Sequence, residues 1–314
     1  MKPRVLQVGR LLPALEQPLA QQYDLHRLAD EAEPDAFLAQ HGAGFVGLVT
    51  SAGGMGAPAA LITALPSLKV ISSFGVGLDR IDLGLARERG IAVGYTPDVL
   101  NDCVADTAFA LMLAVARRVP EADRFVRAGR WAGGATFGLG RKVSGARLGV
   151  VGLGRIGQTI ARRASGFDMP VRYHSRRPVD GVPWQHEPSL LELASWADYL
   201  VVITAGGAGT RHLIDSAVLD ALGPRGFLIN VSRGSVVDES ALVRALVEHR
   251  IAGAGLDVFE HEPRVPQQLM ALDNVVLLPH VASATQETRA AMAQRVLDNL
   301  AAFFVDGRLI TAAL

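Results

Sequence analysis

Short apolar, β-branched runs alternate with helical patterns along the whole chain. Continuous apolar strands separated by helices are typical of parallel sheets that helices cover on both faces. The pattern therefore predicts an α/β fold. The predicted strands are Arg4–Val8, Phe45–Thr50, Lys69–Ser73, Ile91–Tyr95, Leu148–Gly152, Val171–His174, Tyr199–Thr204, Phe227–Val231, Gly255–Phe259 and Val275–Leu278.

Two long helical patterns divide the chain. An apolar helix is predicted from Asn101 to Arg118, shortly after Pro97, which disfavours helix at the residue before it. A second, amphipathic helix from about Gln286 to Asp306 could pack back onto the N-terminal part, with a hinge over a cleft between two domains. The predicted domains are a discontinuous substrate-binding domain of residues 1–97 and 285–314 and a dinucleotide-binding domain of residues 98–284.

Length and composition agree with two domains and exclude several classes of protein. A chain of 314 residues is long for a single hydrophobic core. Lys+Arg and Asp+Glu both number 31, so neither a nucleic-acid surface nor a polybasic membrane anchor is predicted. Cys103 is the single cysteine, which excludes disulfides within the chain and multi-cysteine metal sites. No metal site, signal peptide or membrane span is predicted, and a cytoplasmic location is expected.

A glycine-rich turn follows a predicted strand and begins a predicted helix. Gly152, Gly154 and Gly157 form a G-x-G-x-x-G pattern, in which the first permits a tight turn. The second lets the backbone approach a pyrophosphate, and the third allows close packing of helix on strand. The start of the helix, with Arg155 and Ile156, offers N–H groups to phosphates. We therefore predict dinucleotide binding, with a structural turn as the alternative.

The residues after the next strand bear on the choice between NAD and NADP. An NAD-selective site usually has Asp or Glu here for the ribose 2′-hydroxyl, whereas this chain has Ser175, Arg176 and Arg177. A carboxylate would repel a 2′-phosphate, but a hydroxyl and two guanidinium groups can hydrogen-bond it. A solvated basic turn is the alternative. NADP(H) is predicted as the preferred cofactor, with NAD(H) possible.

Candidate acid–base residues follow later strands, where ligands bind in open parallel sheets. His280 follows the apolar run NVVLLP, and a histidine is a natural proton donor to a carbonyl oxygen that gains charge. Glu262, in VFEHEP, can hydrogen-bond the imidazole, fix its tautomer and favour its protonated form. Glu260 is a neighbouring competitor for that role. The other histidines are expected to be surface or structural residues.

Other loops offer groups for substrate and cofactor. Arg233, in NVSRGSVVD, provides a bidentate fork for a substrate carboxylate, although a phosphate contact or a salt bridge would also suit it. Asp257 could orient the nicotinamide carboxamide or only cap a turn. In the N-terminal third, the amides of Val76 and Gly77 in SSFGVGLDRID could form an anion nest.

The segments GLGRIG, NVSRGSVVDESAL, GAGLDVFEHEP and LLPHVASATQETR resemble the signatures of the D-isomer-specific 2-hydroxyacid dehydrogenases. The resemblance covers nearly the whole chain. Within the family it is most like the NADPH-dependent glyoxylate/hydroxypyruvate reductases and the hydroxyphenylpyruvate reductases, which share a basic turn like HSRR. It implies two doubly wound parallel sheets, with a Rossmann cofactor domain inserted into a flavodoxin-like substrate domain.

The resemblance also implies roles for individual residues. Arg233, Glu262 and His280 would be the catalytic trio, with the substrate bound against the Val76–Gly77 backbone. It further implies a homodimer built mainly through the cofactor domains, in which residues 124–138 reach toward the partner. Formate dehydrogenases of the same superfamily lack the equivalent glutamate, so its presence here argues for carbonyl reduction.

Two segments depart from the family pattern. ITAGGAGTRHLID replaces the usual Pro-Leu-Thr segment, which puts cofactor contacts from Thr204 and Ala205 in doubt and suggests a more flexible loop. Ala282 stands where the family usually has glycine before Ser283, so the backbone beside the nicotinamide could differ. Thr204 and Ser283 are still counted among the predicted cofactor contacts.

The predicted activity is NADPH-dependent reduction of a small 2-oxo acid, glyoxylate or hydroxypyruvate, to the D-2-hydroxy acid. His280 would be the general acid. One alternative is an NAD-dependent biosynthetic dehydrogenase acting on a phosphorylated hydroxy acid. Another is a nucleotide-sensing scaffold of the same fold that has no enzymatic activity.

Overall fold

The computed structural model describes residues 2–314, whose two β-sheets lie in separate units of the chain. One unit contains the chain up to Leu100 together with Ala284–Leu314, and the other contains Asn101–Ser283. All strand pairs within both sheets are parallel, which confirms the predicted α/β fold class. The assignment of one unit to the substrate and the other to the cofactor stays a prediction.

The first unit is built on a five-stranded sheet with the order β2-β1-β3-β4-β5, as in flavodoxin-like folds. Its strands are β1 (Arg4–Gln7), β2 (Asp24–Arg27), β3 (Gly47–Ser51), β4 (Val70–Phe74) and β5 (Ala92–Gly94). Its helices are α1 (Pro13–Gln22), α2 (Pro34–His41), α3 (Ala59–Thr63), α4 (Leu83–Glu88) and the C-terminal helix (Gln286–Asp306). Its 3₁₀ turns are Leu28–Asp30 and Gly42–Gly44.

The second unit is built on a seven-stranded sheet. Its strands are β6 (Leu148–Val151), β7 (Val171–His174), β8 (Gln185–His186), β9 (Tyr199–Val202), β10 (Phe227–Asn230), β11 (Gly253–Leu256) and β12 (Val275–Leu277). Its helices are α5 (Asn101–Ala116), α6 (Val119–Arg127), α7 (Arg155–Ala164), α8 (Leu190–Trp196), α9 (Ser216–Leu222), α10 (Glu239–Val247) and α11 (Gln267–Met270). Its 3₁₀ turns are Ser165–Phe167, Ala208–Thr210 and Gly234–Val236.

The order β12-β11-β10-β9-β6-β7-β8 runs outward from β6 in both directions, as in Rossmann folds. Every residue of β6, β9, β10 and β11 is buried, since helices cover these central strands. The long helix α5 packs across β10 and β11. The carboxyl ends of these strands are therefore the place where this unit can present functional groups.

The ten predicted strands are present, but two others were missed and one was misplaced. β2 is a polar edge strand, half-exposed along its length, and β8 has only two residues, so neither carries an apolar run. The strand predicted at Gly255–Phe259 lies two residues earlier, at β11. Its small residues are required by close packing, because a Cβ on Gly255 would lie 2.9 Å from the Leu111 Cβ.

Within residues 2–314, no helix has both the length and the apolar composition that crossing a membrane requires.

Candidate active site

The glycine-rich turn between β6 and α7 has the geometry that a dinucleotide needs. Gly152 has a φ of +101°, and a Cβ there would lie 2.8 Å from the Thr204 N. A Cβ on Gly157 would lie 2.1 Å from the Gly152 O, so helix and turn are in backbone contact. A Cβ on Gly154 would meet nothing within 4 Å, which leaves open space before the N-terminus of α7. The residues present therefore fit a pyrophosphate at this turn.

The turn after β7 carries the basic residues. The side chains of Arg176 and Arg177 are exposed, and neither pairs with a carboxylate in the part of the chain that the structure describes. The Ser175 hydroxyl donates to the Arg177 carbonyl oxygen at 2.6 Å. In this conformation the hydroxyl proton of Ser175 is donated to the turn itself, and a hydrogen bond from it to a cofactor phosphate stays a prediction.

His280 lies in a turn that a buried carboxylate holds. The His280 N–H donates to the Asp257 carbonyl oxygen at 2.8 Å. The Asp257 carboxylate accepts the N–H of Val281 at 2.7 Å and that of Ala282 at 2.9 Å. Burial raises the pKa of Asp257, although these two amides favour its ionised form. The carboxylate therefore caps the turn, and its contact with the nicotinamide carboxamide stays a prediction.

The imidazole of His280 is hydrogen-bonded to Glu262, with 2.9 Å between Nδ1 and Oε2. Burial would by itself raise the pKa of Glu262. The hydrogen bond and charge of His280, the N–H of Phe259 and the charge of Arg233 outweigh it, so the pKa lies below its ordinary value. The ionised carboxylate of Glu262 accepts a hydrogen bond from Nδ1–H, which leaves Nε2 as the nitrogen available to a substrate.

Glu260, the competing carboxylate, has other partners. Its Oε1 accepts hydrogen bonds from Arg211 at 2.8 Å and from His212 at 2.9 Å. Its backbone N–H donates to the Glu239 Oε1 at 3.0 Å. Glu260 thus connects the loop after β9 to the loop after β11, whereas Glu262 is the carboxylate that contacts His280.

Arg233 follows β10 in a turn that the side chain of Asn230 organises. The Asn230 Oδ1 accepts the N–H and the hydroxyl of Ser232, and its Nδ2 donates to the Arg233 carbonyl oxygen at 3.0 Å. The next residue, Gly234, touches the loop after β11, since a Cβ there would lie 1.9 Å from the Phe259 carbonyl carbon. The positive charge of Arg233 lowers the pKa of Glu262, so Arg233 is close enough to influence the carboxylate that contacts His280.

The unusual loop after β9 closes on itself. The Thr210 hydroxyl donates to the Ala205 carbonyl oxygen at 2.7 Å, and the Thr210 N–H donates to that of Gly207 at 3.1 Å. Thr204 lies against Gly152, since a Cβ on that glycine would be 2.8 Å from the Thr204 N. At the other departure from the family pattern, Ala282 is buried and its carbonyl oxygen accepts the Thr107 hydroxyl at 3.3 Å. Cofactor contacts from Ile156, Thr204 and Ser283 stay predictions.

In the first unit, the loop after β4 leaves two adjacent amides without an acceptor among residues 2–314. Gly75 has a φ of +141°, and its N–H donates to the buried Thr96 hydroxyl at 3.0 Å. The next two amides, of Val76 and Gly77, donate to no acceptor within residues 2–314. Two adjacent unpaired N–H groups of this kind suit a carboxylate.

Two residues beside the basic turn were missed by sequence reasoning. His186, on β8, contacts the Ser175 carbonyl oxygen with its Nε2 at 3.0 Å. The buried Tyr173, on β7, accepts the N–H of Val179 with its hydroxyl at 2.8 Å. Only the pairing of β8 with β7 brings His186 to this turn, and no pattern in the sequence indicated that strand.

Within residues 2–314, no group of three or more His, Cys, Asp or Glu side chains is arranged to hold a metal ion.

Comparison with known proteins identifies the family. Residues 109–282 match the family described as D-isomer specific 2-hydroxyacid dehydrogenase, NAD binding domain. The chain belongs to the D-isomer-specific 2-hydroxyacid dehydrogenases. It is therefore an oxidoreductase of the NAD(P)-dependent type, as the resemblance of its motifs implied.

Relatives of this dehydrogenase span its full length. It is 47% identical over 307 residues to glyoxylate/hydroxypyruvate reductase A of Arabidopsis thaliana, covering 98% of this chain and 97% of the relative. It is 45% identical over 314 residues to a 2-ketogluconate reductase of Gluconobacter oxydans, covering 100% of this chain and 99% of that relative. The fold is also similar to a crystal structure of the NADPH-dependent glyoxylate/hydroxypyruvate reductase of Sinorhizobium meliloti in complex with NADP and malonate. The TM-score is 0.94 and the sequence identity 43%, and the match covers 100% of this chain and 97% of that chain.

Replacing Gly234 with Ala is expected to separate the loops after β10 and β11. The added Cβ would overlap the Phe259 backbone and should destabilise the dehydrogenase by about 1–3 kcal/mol. Urea unfolding measures this. Gly166→Ala is the matched control, because a Cβ at Gly166 would meet nothing within 4 Å. Equal stability of the two variants would contradict the close backbone contact.

Replacing Glu262 with Gln is expected to cost stability in a pH-dependent manner. The pKa of Glu262 is lowered in the folded state, so its contribution is present above the ordinary value of 4.5 and is lost as the pH falls through the folded value. At neutral pH the cost should be about 1 kcal/mol, after allowance for solvent screening. Urea unfolding of both proteins from about pH 7 down to about pH 3.5 tests this, because their difference should shrink below the ordinary pKa. A constant difference would refute it.

Proposed function

We propose that this dehydrogenase reduces a small 2-oxo acid, glyoxylate or hydroxypyruvate, to the D-2-hydroxy acid with NADPH. The observation that carries the proposal is the 2.9 Å hydrogen bond between His280 and Glu262, in the unit that also holds the glycine-rich turn. The reductases of A. thaliana and S. meliloti, by their names, act on these two acids, which supports the substrate class.

Proton transfer falls to His280. With Nδ1 bonded to the carboxylate of Glu262, the protonated imidazole presents Nε2–H to the substrate carbonyl oxygen. The carboxylate stabilises the imidazolium and keeps the ring in position, and it holds the remaining proton on Nδ1 once Nε2 has given up its own. As the carbonyl carbon is reduced, its oxygen gains charge and takes the Nε2 proton, so the product is a hydroxyl group.

Arg233 binds the substrate carboxylate with its guanidinium and polarises the neighbouring carbonyl. The unpaired amides of Val76 and Gly77 are the second proposed anchor for the carboxylate. With the carboxylate held by Arg233 and the carbonyl oxygen held by His280, one face of the carbonyl carbon would be turned to the cofactor, which is how a single enantiomer would arise from hydroxypyruvate.

The cofactor is held by the turn from Gly152 to Gly157 and by the turn at Ser175–Arg177. When bound, the reduced nicotinamide supplies the hydride. NADP(H) is the preferred form because Arg176 and Arg177 are exposed and unpaired with any carboxylate of residues 2–314, where an extra phosphate needs positive charge. NAD(H) can also bind, more weakly.

The dehydrogenase is further proposed to act as a homodimer in the cytoplasm. Residues 124–138 and the adjacent Leu139 present large apolar side chains to solvent, with Trp131 70% and Leu139 96% exposed. Exposed apolar groups of this size are typical of interfaces between chains. Light scattering after size-exclusion chromatography would measure the oligomeric state directly.

The central experiment replaces His280 with Ala and follows the oxidation of NADPH with glyoxylate and with hydroxypyruvate. Loss of the proton donor should lower kcat by about 10²–10⁴-fold. His249→Ala is the matched control, because the hydrogen bonds of this exposed residue involve its backbone. Near-normal turnover in the His280 variant would refute the proposed role, and binding of NADPH without turnover of any 2-oxo acid would favour a scaffold.

A second experiment replaces Arg176 and Arg177 together with Gln. Because both side chains are exposed, the lost interactions should total about 1–2 kcal/mol, which raises the KM for NADPH about five- to thirtyfold and that for NADH little. The double variant Arg87→Gln with Arg308→Gln makes the same change of charge at two other exposed positions. An unchanged ratio of the two KM values would reject the NADPH preference.

A further inference from the structure

The basic turn after β7 is held in shape by its neighbours in the sheet. β7 and β8 pair in parallel with Tyr173 opposite His186, and their rings lie 5.2 Å apart. His186 Nε2 lies 3.0 Å from the Ser175 carbonyl oxygen. Because a carbonyl oxygen only accepts, Nε2 carries the hydrogen and donates it. A short edge strand thus fixes the first peptide group of the turn.

The orientation of that peptide group sets the direction of the next N–H. In a trans peptide the C=O and the N–H point to opposite sides. With the Ser175 carbonyl directed at His186, the N–H of Arg176 points away from the imidazole. This N–H donates to no backbone or side-chain acceptor among residues 2–314. It is a donor with a fixed direction, in the backbone of the turn that carries the two arginines.

Two more hydrogen bonds keep the turn in this form. The Ser175 hydroxyl donates to the Arg177 carbonyl oxygen at 2.6 Å, so the hydroxyl shapes the turn. The Tyr173 hydroxyl accepts the N–H of Val179 at 2.8 Å, and its ring is 1% exposed. Side chains therefore hold the turn at both ends, from the partly exposed Ser175 and His186 at its start to the buried Tyr173 at Val179.

We propose that His186 and Tyr173 are positioning residues for the choice between NADPH and NADH. They hold the Ser175–Arg176 peptide so that the Arg176 N–H is directed at the 2′-phosphate of the cofactor. The guanidiniums of Arg176 and Arg177 attract the phosphate by their positive charge, and the N–H of Arg176 offers it a hydrogen bond in one fixed orientation. This inference rests on the proposed use of NADP(H).

The test compares His186→Ala, which removes the donor, with His186→Gln, whose amide can still donate to the Ser175 carbonyl. The alanine variant should raise the KM for NADPH about three- to tenfold, as expected for one lost positioning hydrogen bond. The KM for NADH and the kcat with either cofactor should change less than about twofold. The glutamine variant should keep the ratio of the KM for NADH to the KM for NADPH near its wild-type value. Tyr173→Phe should behave like the alanine variant.

A binding measurement separates recognition from turnover. Isothermal titration calorimetry with adenosine 2′,5′-bisphosphate and with adenosine 5′-monophosphate reports the contribution of the 2′-phosphate alone. The alanine variant should weaken binding of the bisphosphate by about the same factor as the KM and leave the monophosphate unchanged.

The matched control is His174→Ala. His174 Nδ1 contacts the Glu187 carbonyl oxygen at 3.0 Å, so this variant removes a bond of equal length that does not involve the turn. Its ratio of the KM for NADH to the KM for NADPH should stay at the wild-type value. If this ratio falls as much as in His186→Ala, the role of His186 is only structural and the inference is overturned.

The remaining outcomes distinguish the inference from the function on which it rests. A wild-type preference for NADPH that survives in His186→Ala would overturn the inference alone. A wild-type enzyme without any preference, unchanged by the double replacement of Arg176 and Arg177, would overturn the proposed cofactor as well.

Discussion

The candidate site depends on the way in which the buried carboxylate of Asp257 holds the turn that carries His280. Three hydrogen bonds join Asp257 to the N–H groups of residues 280–282. They keep His280 at a φ of +55°, a left-handed conformation that is unfavourable for a residue with a side chain. Strain of this kind persists only where the surroundings enforce it, and here it directs the imidazole to Glu262.

Hydrogen bonds also give different partners to two carboxylates that stand two residues apart. Glu260 and Glu262 follow β11 in one short loop, yet Arg211 and His212 engage the first while His280 engages the second. The contact of Gly234 with this loop leaves no room for a side chain, so the turns after β10 and β11 are in direct backbone contact. The proposed acid and its carboxylate partner therefore sit in a backbone framework that admits little adjustment.

Much of this could be predicted from the sequence, because the signals were local. Continuous apolar strands indicated parallel sheets, and the glycine spacing indicated the turn before α7. What could not be predicted depends on the pairing of distant segments. Strand β8 has two residues and no apolar run, so His186 gave no sign of its contact with Ser175. Glu262 was predicted as the partner of His280, with Glu260 as a competitor, and the His280–Glu262 contact is present. The partners of Glu260 could not be predicted, because Arg211 and His212 lie in the loop after another strand.

The two kinds of group at the basic turn differ in how solvent affects them. Charges on exposed guanidiniums are screened by salt over about 8 Å at physiological ionic strength, and long side chains lose rotamer freedom when they bind. A backbone N–H whose peptide is already held by His186 loses no such freedom, and its direction does not depend on salt. Attraction of an anionic cofactor and selection of a phosphate at one position are thus separate physical tasks. On the proposal for this turn, the arginine side chains at its surface do the first, and the backbone N–H held by His186 and Tyr173 does the second.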